Sequence, residues 1–89
     1  MRSALTFILI QAALITPALS HAGQDVSLDK LPPAVRATVE RETKGGQITE
    51  IELDREQGKV VYEVEFKANG KKWEIEIAED GTLLERRED

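Results

Sequence analysis

Carboxylates are the side chains whose number and spacing in this chain could perform chemistry. The chain has 17 Asp and Glu against 12 Lys and Arg, and many of the glutamates alternate with apolar residues. Two neighbouring carboxylates such as Glu63 and Glu76 could catalyse proton transfer if a cleft moved their pKa values apart. They could also bind a divalent cation such as Ca²⁺, which takes oxygen ligands. A solvated surface on so small a chain offers no such cleft, so we expect no enzyme.

Several kinds of catalytic and metal site are excluded by residue type. The chain has no cysteine and one histidine, His21, which lies in a segment that we expect to be removed. Without His21, the protein cannot perform Ser-His-Asp or Cys-His catalysis or build a zinc site from Cys and His. The mature protein is therefore expected to have no cofactor, apart from weakly bound Ca²⁺.

The first 22 residues are typical of an export signal. Arg2 carries the one positive charge, and residues 4–15 are almost wholly apolar. Pro17 follows, and Ser20 and Ala22 then place small residues at the −3 and −1 positions that a signal peptidase reads. We expect cleavage after Ala22, with cleavage after Ser20 as a variant, and a periplasmic or secreted mature protein. The alternative, a retained membrane anchor, would need about 20 apolar residues.

Removal of the signal makes the chain more acidic. Arg2 is the only Lys, Arg, Asp or Glu among residues 1–22, so 11 basic and 17 acidic residues remain, a net charge of −6. Nucleic acids and anionic membranes attract basic surfaces, so we expect neither as a partner. The expected partner is an envelope or secreted protein, and the domain itself is expected to be a monomer or weak dimer.

The mature chain is expected to form one domain, residues 31–89, after a flexible lead-in at residues 23–30. Pro32 and Pro33 predict the start of a helix, because proline is tolerated in the first helical turn. Gly45 predicts the end of that helix, since glycine readily takes the left-handed conformation of a C-terminal cap. The apolar stripe of this helix is thin, so we expect it to pack on a sheet.

After the helix, the apolar period changes from helical to two, which predicts four strands. Turn signals separate these strands, and two of them, Asn69 with Gly70 and Asp80 with Gly81, are typical of tight hairpins. The predicted fold class is α+β, with one N-terminal helix packed on a four-stranded antiparallel β-meander.

Turn chemistry also predicts the register of the three hairpins. We expect two-residue loops at the Asn-Gly and Asp-Gly pairs, and a four-residue loop at residues 55–58. The core-facing pairs that follow are Ile51 with Tyr62, Phe66 with Trp73, and Ile77 with Leu84. The solvent-facing pairs that follow are Glu50 with Glu63, Glu63 with Glu76, and Glu76 with Glu85.

The predicted register places four carboxylates in one row across the solvent face of the sheet, those of Glu50, Glu63, Glu76 and Glu85. Neighbouring strands lie about 4.8 Å apart, and like charges directly opposite one another destabilise a sheet. An exposed apolar strip is expected beside this row, made by Val61, Ala78 and Leu83.

Two interpretations of the row remain open at this point. Charged side chains on a solvent face keep a small sheet protein soluble and discourage aggregation at its edges. Alternatively, the four glutamates with Val61 and Leu83 form a docking surface for a basic protein, or bind a divalent cation. A flat row has no enclosing loop, so Glu63 and Glu76 are only weak candidates for a metal site.

Three segments resemble the PepSY-like family, small exported domains related to the PepSY module. They are Leu31-Pro32-Pro33-Ala34-Val35, Val61-Tyr62-Glu63-Val64-Glu65 and Glu79-Asp80-Gly81-Thr82-Leu83-Leu84-Glu85. The resemblance covers the mature chain and implies one helix on a four-stranded antiparallel sheet, a fold also similar to one repeat of the β-lactamase inhibitor protein. It implies a non-catalytic module that modulates or inhibits a peptidase or other envelope protein, as proposed for the propeptides of thermolysin-like peptidases. It implies no catalytic residues.

Overall fold

One helix and one antiparallel sheet make up the fold in the computed structural model, which describes residues 23–89. The elements are β1 (Gln24–Asp25), a 3₁₀ turn (Leu28–Lys30), α1 (Pro33–Thr43), β2 (Gln47–Glu56), β3 (Lys59–Ala68), β4 (Lys71–Ala78) and β5 (Leu83–Glu88). The five strands follow one another in chain order across the sheet. The α+β class is confirmed, while the predicted export signal at residues 1–22 lies outside the described residues.

The helix α1 begins at the predicted prolines and ends before the predicted glycine. Pro33 is its first residue, a position where the missing N–H costs no helical hydrogen bond. Val35, Val39 and Thr43 are buried, and the Thr43 hydroxyl donates to the Val39 carbonyl at 2.8 Å. Gly45 follows with a φ of +75°, the left-handed conformation that ends a helix.

The core lies between α1 and the inner face of the sheet, which is the face directed toward the helix. Its buried members are Leu31, Val35, Val39, Ile51, Tyr62, Val64, Phe66, Ile75 and Ile77. In β3 these are the even-numbered residues. Because strand side chains alternate between two faces, the odd-numbered residues of β3 point to the opposite side, which we call the outer face.

Arg86 connects β5 to the helix at the edge of the core. Its guanidinium carbon lies 4.8 Å from the centre of the Trp73 ring and 5.6 Å from that of Phe66. Its Nη1 donates to the Glu42 carboxylate at 2.7 Å. A cation stacked on aromatic rings and paired with a carboxylate stabilises the contact between strand and helix.

The sheet has five strands where the sequence analysis predicts four. The additional strand, β1, lies within the predicted lead-in and pairs Asp25 with Glu52. The Val26 N–H donates to the Ile51 carbonyl at 3.0 Å, and the side chains of Val26 and Leu28 pack against the core. The expectation of four strands is wrong because a two-residue strand is too short to show an alternating pattern.

The hairpin between β3 and β4 has the predicted register. Its two loop residues, Asn69 and Gly70, have φ values of 54° and 76°, as a two-residue type I′ turn requires. The predicted pairs of Phe66 with Trp73 and of Glu63 with Glu76 are both present. The turn residues alone were therefore sufficient to place these two strands.

The hairpin between β2 and β3 is two residues away from the predicted register. Its loop consists of Gln57 and Gly58, with φ values of 52° and 80°, instead of the four residues expected. Glutamine is not among the residues that usually take a positive φ, which is why a longer loop was predicted. As a consequence, Glu52 and not Glu50 faces Glu63.

A slip of two residues keeps each side chain on its predicted face, because the side-chain period of a strand is two. Leu53 replaces Ile51 opposite Tyr62, so the inner face remains apolar. A β-bulge lies between Ile48 and Glu50. The residue faces were thus predicted correctly, although the partners across β2 and β3 were not.

The loop between β4 and β5 is one residue longer than predicted. The Ala78 N–H donates to the Thr82 carbonyl at 2.8 Å, which leaves residues 79–81 as a three-residue loop. Such loops end on a residue of positive φ, and Gly81 has a φ of 93°. The Asp-Gly pair was therefore a correct hairpin signal with the wrong loop length.

The longer loop changes which leucine faces the core. Leu83, and not Leu84, pairs with Ile77, and Leu83 packs against the core. A bulge then restores the register, so that Glu76 faces Glu85 as predicted. Leu84 is left 53% exposed.

Candidate functional site

The outer face of the sheet carries a row of carboxylates with one member on each strand. We call this set the acidic row, and its members are Asp25, Glu52, Glu63, Glu76 and Glu85, each paired in register with the next. Three of the four predicted members, Glu63, Glu76 and Glu85, are in the row. The row contains one carboxylate more than predicted and reaches both edges of the sheet.

The predicted member Glu50 lies outside the acidic row. It faces Glu65 in the neighbouring row, because of the two-residue loop between β2 and β3. Glu52 takes its place, and Asp25 is added by β1. The sequence did not predict Asp25 as a member of the row. Val26 is the apolar residue beside it, and the segment has too few apolar residues to predict a strand.

Burial differs along the acidic row. Glu63, at its centre, is only 7% exposed, while Glu52 and Glu76 are half-buried and the two ends, Asp25 and Glu85, are exposed. A carboxylate in the middle of a sheet is covered by the side chains of both neighbouring strands. The most accessible carboxylates of the row are therefore those at its two ends, Asp25 and Glu85.

Arg87 is the cation that the structure places next to the acidic row. Its Nη1 donates to Glu85 at 2.8 Å and its Nη2 to Glu74 at 2.7 Å. The hydrogen bond that Arg87 donates to Glu85 is the first cause that raises the pKa of Arg87, followed by the negative charge of Glu74 and the hydrogen bond donated to it. Since Glu74 belongs to the neighbouring row, Arg87 compensates the β5 end of both rows.

The expected exposed apolar strip is not present in the form predicted. Val61 lies on the outer face but is only 7% exposed, and Ala78 beside it is half-buried. Leu83 packs against the core, because the three-residue loop brings it opposite Ile77. Within the part of the chain that the structure describes, Leu84 is the large hydrophobic side chain left exposed. The binding role assigned to Val61 and Leu83 stays a prediction.

Charge repulsion and burial act together on Glu76. Burial is the first cause that raises the pKa of its carboxyl, and the charges of Glu85 and Glu56 raise it further, while Arg87 acts in the opposite direction. Both causes disfavour the ionised form. The ionised form of Glu76 is therefore disfavoured both by its burial in the sheet and by the carboxylates around it.

Replacing Glu76 by glutamine should stabilise the protein at neutral pH. Because the folded-state pKa of Glu76 is raised, its ionised form destabilises the fold, and this cost disappears below the ordinary value of 4.5. We expect Glu76→Gln to raise the melting temperature by about 3 °C at pH 7, equivalent to about 0.5 kcal/mol, and to leave it unchanged at pH 3.5.

The matched control for this substitution is Glu40→Gln, at an exposed position of α1. The melting temperature of the control should be the same as that of the unchanged protein at both pH values. A lower melting temperature for Glu76→Gln at pH 7 would show that the repulsion along the acidic row is not a cost to the fold.

Among residues 23–89, two groups of three carboxylates have oxygens close enough to share a cation. Asp25, Glu50 and Glu52 form one group, and Glu52, Asp54 and Glu63 form the other; within each, the oxygens lie within 4.8 Å of one another. Glu52 belongs to both groups. Of the two residues predicted as weak metal candidates, Glu63 is in such a group and Glu76 is in neither.

Comparison with known proteins identifies one family. The family model described as "PepSY: Peptidase propeptide and YPEB domain" matches residues 34–87. This range contains all of β2, β3 and β4, all of α1 except Pro33, and most of β5. No curated protein and no solved structure matches the chain. Among residues 23–89, no helix has the length and apolar character needed to cross a membrane.

Proposed function

Because the chain belongs to the PepSY family, we propose that it is an exported, non-catalytic binding module that docks on a basic surface of an exported peptidase or another envelope protein. The proposed contact is the outer face of the sheet, and the proposed effect is to modulate or inhibit the partner. Domains of this family are generally non-catalytic modules of the propeptide or inhibitor kind. The export signal that the sequence predicts at residues 1–22 supports the export part of the proposal.

The acidic row is the observation that carries this proposal. Its five carboxylates stand on five adjacent strands, and α1 packs on the opposite side of the sheet. The raised pKa of Glu76 has burial as its first cause and repulsion from Glu85, its neighbour in the row, as its second. A partner rich in Lys and Arg would relieve this repulsion, and charge complementarity of that kind gives both fast association and selectivity.

The partner should be recovered by affinity capture from envelope extract of the source cells, in salt of about 50 mM. A variant with Glu76→Gln and Glu85→Gln removes two charges from the outer face. The control variant, Glu40→Gln with Glu79→Gln, removes two charges from exposed positions in α1 and in the β4–β5 loop. We expect the control to retain the partner and the outer-face variant to lose most of it.

The identity of the captured protein and its release by salt test whether docking depends on charge. A basic peptidase or envelope protein, released as the salt concentration rises above about 150 mM, would support docking by charge. Equal recovery by the outer-face variant would place the contact elsewhere on the domain. The activity of a captured peptidase, measured with and without the domain, then tests modulation directly.

A second candidate function is weak binding of a divalent cation by the two carboxylate groups. The specific observation in its favour is that Glu52 contributes to both groups, whose oxygens lie within 4.8 Å of one another. Carboxylate oxygens suit Ca²⁺. Since the sheet provides no enclosing loop, we expect a dissociation constant on the order of 1 mM.

Titration calorimetry with CaCl₂ tests the cation candidate. The unchanged domain should release or absorb heat at millimolar calcium and melt at a higher temperature, while Glu52→Gln should lose both effects. Glu40→Gln provides the control and should behave like the unchanged domain. If neither heat nor a change in melting temperature is observed at 5–10 times the expected dissociation constant, the outer face does not bind Ca²⁺.

A further inference from the structure

Gly23, the first residue that follows the predicted export signal, lies directly against the carboxylates of β2. A β-carbon placed on Gly23 would overlap Oδ1 of Asp54 and lie 3.0 Å from Oε1 of Glu52. With a Cα–Cβ bond of about 1.5 Å, the α-carbon of Gly23 is within about 4 Å of the Asp54 oxygen. The α-nitrogen, one bond further, is within about 5 Å.

The pairing of β1 with β2 holds Gly23 in this place. Gln24 pairs with Leu53 and Asp25 with Glu52, so the chain enters the sheet immediately after Gly23. Asp54 and Glu52 also belong to the group whose carboxylate oxygens lie within 4.8 Å of one another. A cation at the nitrogen of Gly23 would therefore meet several negative charges at short range.

We propose that Asp54 and Glu52 form a binding site for the protein's own terminal ammonium group, which removal of residues 1–22 creates at Gly23. The step that creates it is hydrolysis: one water is consumed, the bond between Ala22 and Gly23 breaks, and Ala22 keeps the carboxylate. The amine released on Gly23 takes up a proton at neutral pH, since an α-amino group has an ordinary pKa of about 8.

Cleavage after Ala22 is then expected to stabilise the fold. In the uncleaved chain, the nitrogen of Gly23 is a neutral amide, and the carboxylates of Asp54 and Glu52 gain no charge partner from it. In the processed chain, the ammonium binds these carboxylates and fastens β1 to β2. The exported form is thus more stable than the precursor, and the gain depends on cleavage after Ala22. Cleavage after Ser20 would instead place the amine two residues away.

The role of the Gly23 amine can be tested with a chain that begins at this residue. The core and the five strands that the structure describes lie within residues 23–89, so a chain that begins at Gly23 contains each described element of the fold. Two forms are prepared by peptide synthesis, one with a free Gly23 amine and one with this amine acetylated. Acetylation removes the charge and leaves every side chain in place.

The free-amine form should be the more stable at pH 6.5 and low salt, where the amine is charged. We expect acetylation to raise the unfolding equilibrium constant, measured by urea denaturation, about threefold. The difference should vanish at pH 10, where an ordinary amine has lost its proton. The charged groups that face the amine are Asp54 and Glu52 of β2, with Glu63 of β3 and Asp25 of β1 beside them.

The substitution Asp54→Asn, made in both forms, identifies the partner of the amine. It should abolish the effect of acetylation, whereas Asp29→Asn, at an exposed position after β1, should preserve it. Equal stability of the free and acetylated forms would overturn the proposal. An acetylation effect that survives Asp54→Asn would overturn the assignment of Asp54 as the partner. Neither result depends on the docking function proposed above.

Discussion

The substitution Phe66→Ala should remove most of the free energy of unfolding of the protein at 25 °C. Phe66 is 1% exposed, faces Trp73 across the β3–β4 hairpin and lies under the guanidinium of Arg86. Removing a buried phenylalanine side chain costs about 3–5 kcal/mol. A domain of this size has a free energy of unfolding on the order of 5 kcal/mol, so a single such loss is nearly the whole stability.

Urea denaturation followed by circular dichroism measures this effect. The matched control is Leu84→Ala, which also removes a large apolar side chain, but from a position that is 53% exposed. We expect the control to change the free energy of unfolding by less than about 0.5 kcal/mol. Similar losses for both substitutions would contradict the assignment of the core to the inner face of the sheet.

The substitution Gly81→Ala should have the second largest effect, because the β4–β5 loop lies against the backbone of α1. A β-carbon on Gly81 would lie 2.7 Å from the carbonyl oxygen of Ala34, and the φ of 93° is itself strained for alanine. The Thr38 hydroxyl donates to the Gly81 carbonyl at 2.6 Å, which holds loop and helix together. Strain and overlap together should lower the free energy of unfolding by about 3 kcal/mol.

The substitution Gly70→Ala measures the cost of backbone strain without the steric overlap expected at Gly81. Gly70 also has a positive φ, of 76°, but a β-carbon there would meet no atom within 4 Å. Its substitution should therefore cost only the strain, about 1 kcal/mol. If Gly70→Ala and Gly81→Ala cost the same in thermal or urea denaturation, the close approach of the loop to α1 is not what requires glycine at position 81.

Turn chemistry explains how much of the fold could be predicted. The Asn69 and Gly70 loop fixed the register of β3 and β4, because only a two-residue loop suits these residues. The Gln57 and Gly58 loop was missed because glutamine rarely takes a positive φ, although it does so here. Alternation of side chains remained reliable even where the register failed, since a slip of two residues does not change the face.

The candidate site was predicted in part for the same reasons. Glu63, Glu76 and Glu85 were placed correctly. The predicted pairs of Glu63 with Glu76 and of Glu76 with Glu85 are both present in the sheet. Glu52 was missed through the loop between β2 and β3, and Asp25 through the shortness of β1. Pairing of this kind depends on backbone hydrogen bonds between distant segments, which no local pattern of residues reveals.

The acidic row in the structure presents a different surface to a partner from the row predicted from the sequence. The predicted row of four carboxylates beside an exposed apolar strip would suit a partner with a mixed surface. The observed row has five carboxylates, and beside it lie a half-buried Ala78 and a buried Val61. We therefore expect electrostatic attraction to dominate the docking, and its strength to fall steeply with salt.

The most direct test of the proposed docking face is photo-crosslinking in cells that produce the protein from its full-length chain, residues 1–89. A photoreactive residue replaces Glu76 or Glu85 on the outer face, or Glu40 on the exposed side of α1. We predict crosslinks to the same envelope protein from positions 76 and 85, and none from position 40. Crosslinks to that protein from position 40 alone would contradict docking through the outer face of the sheet.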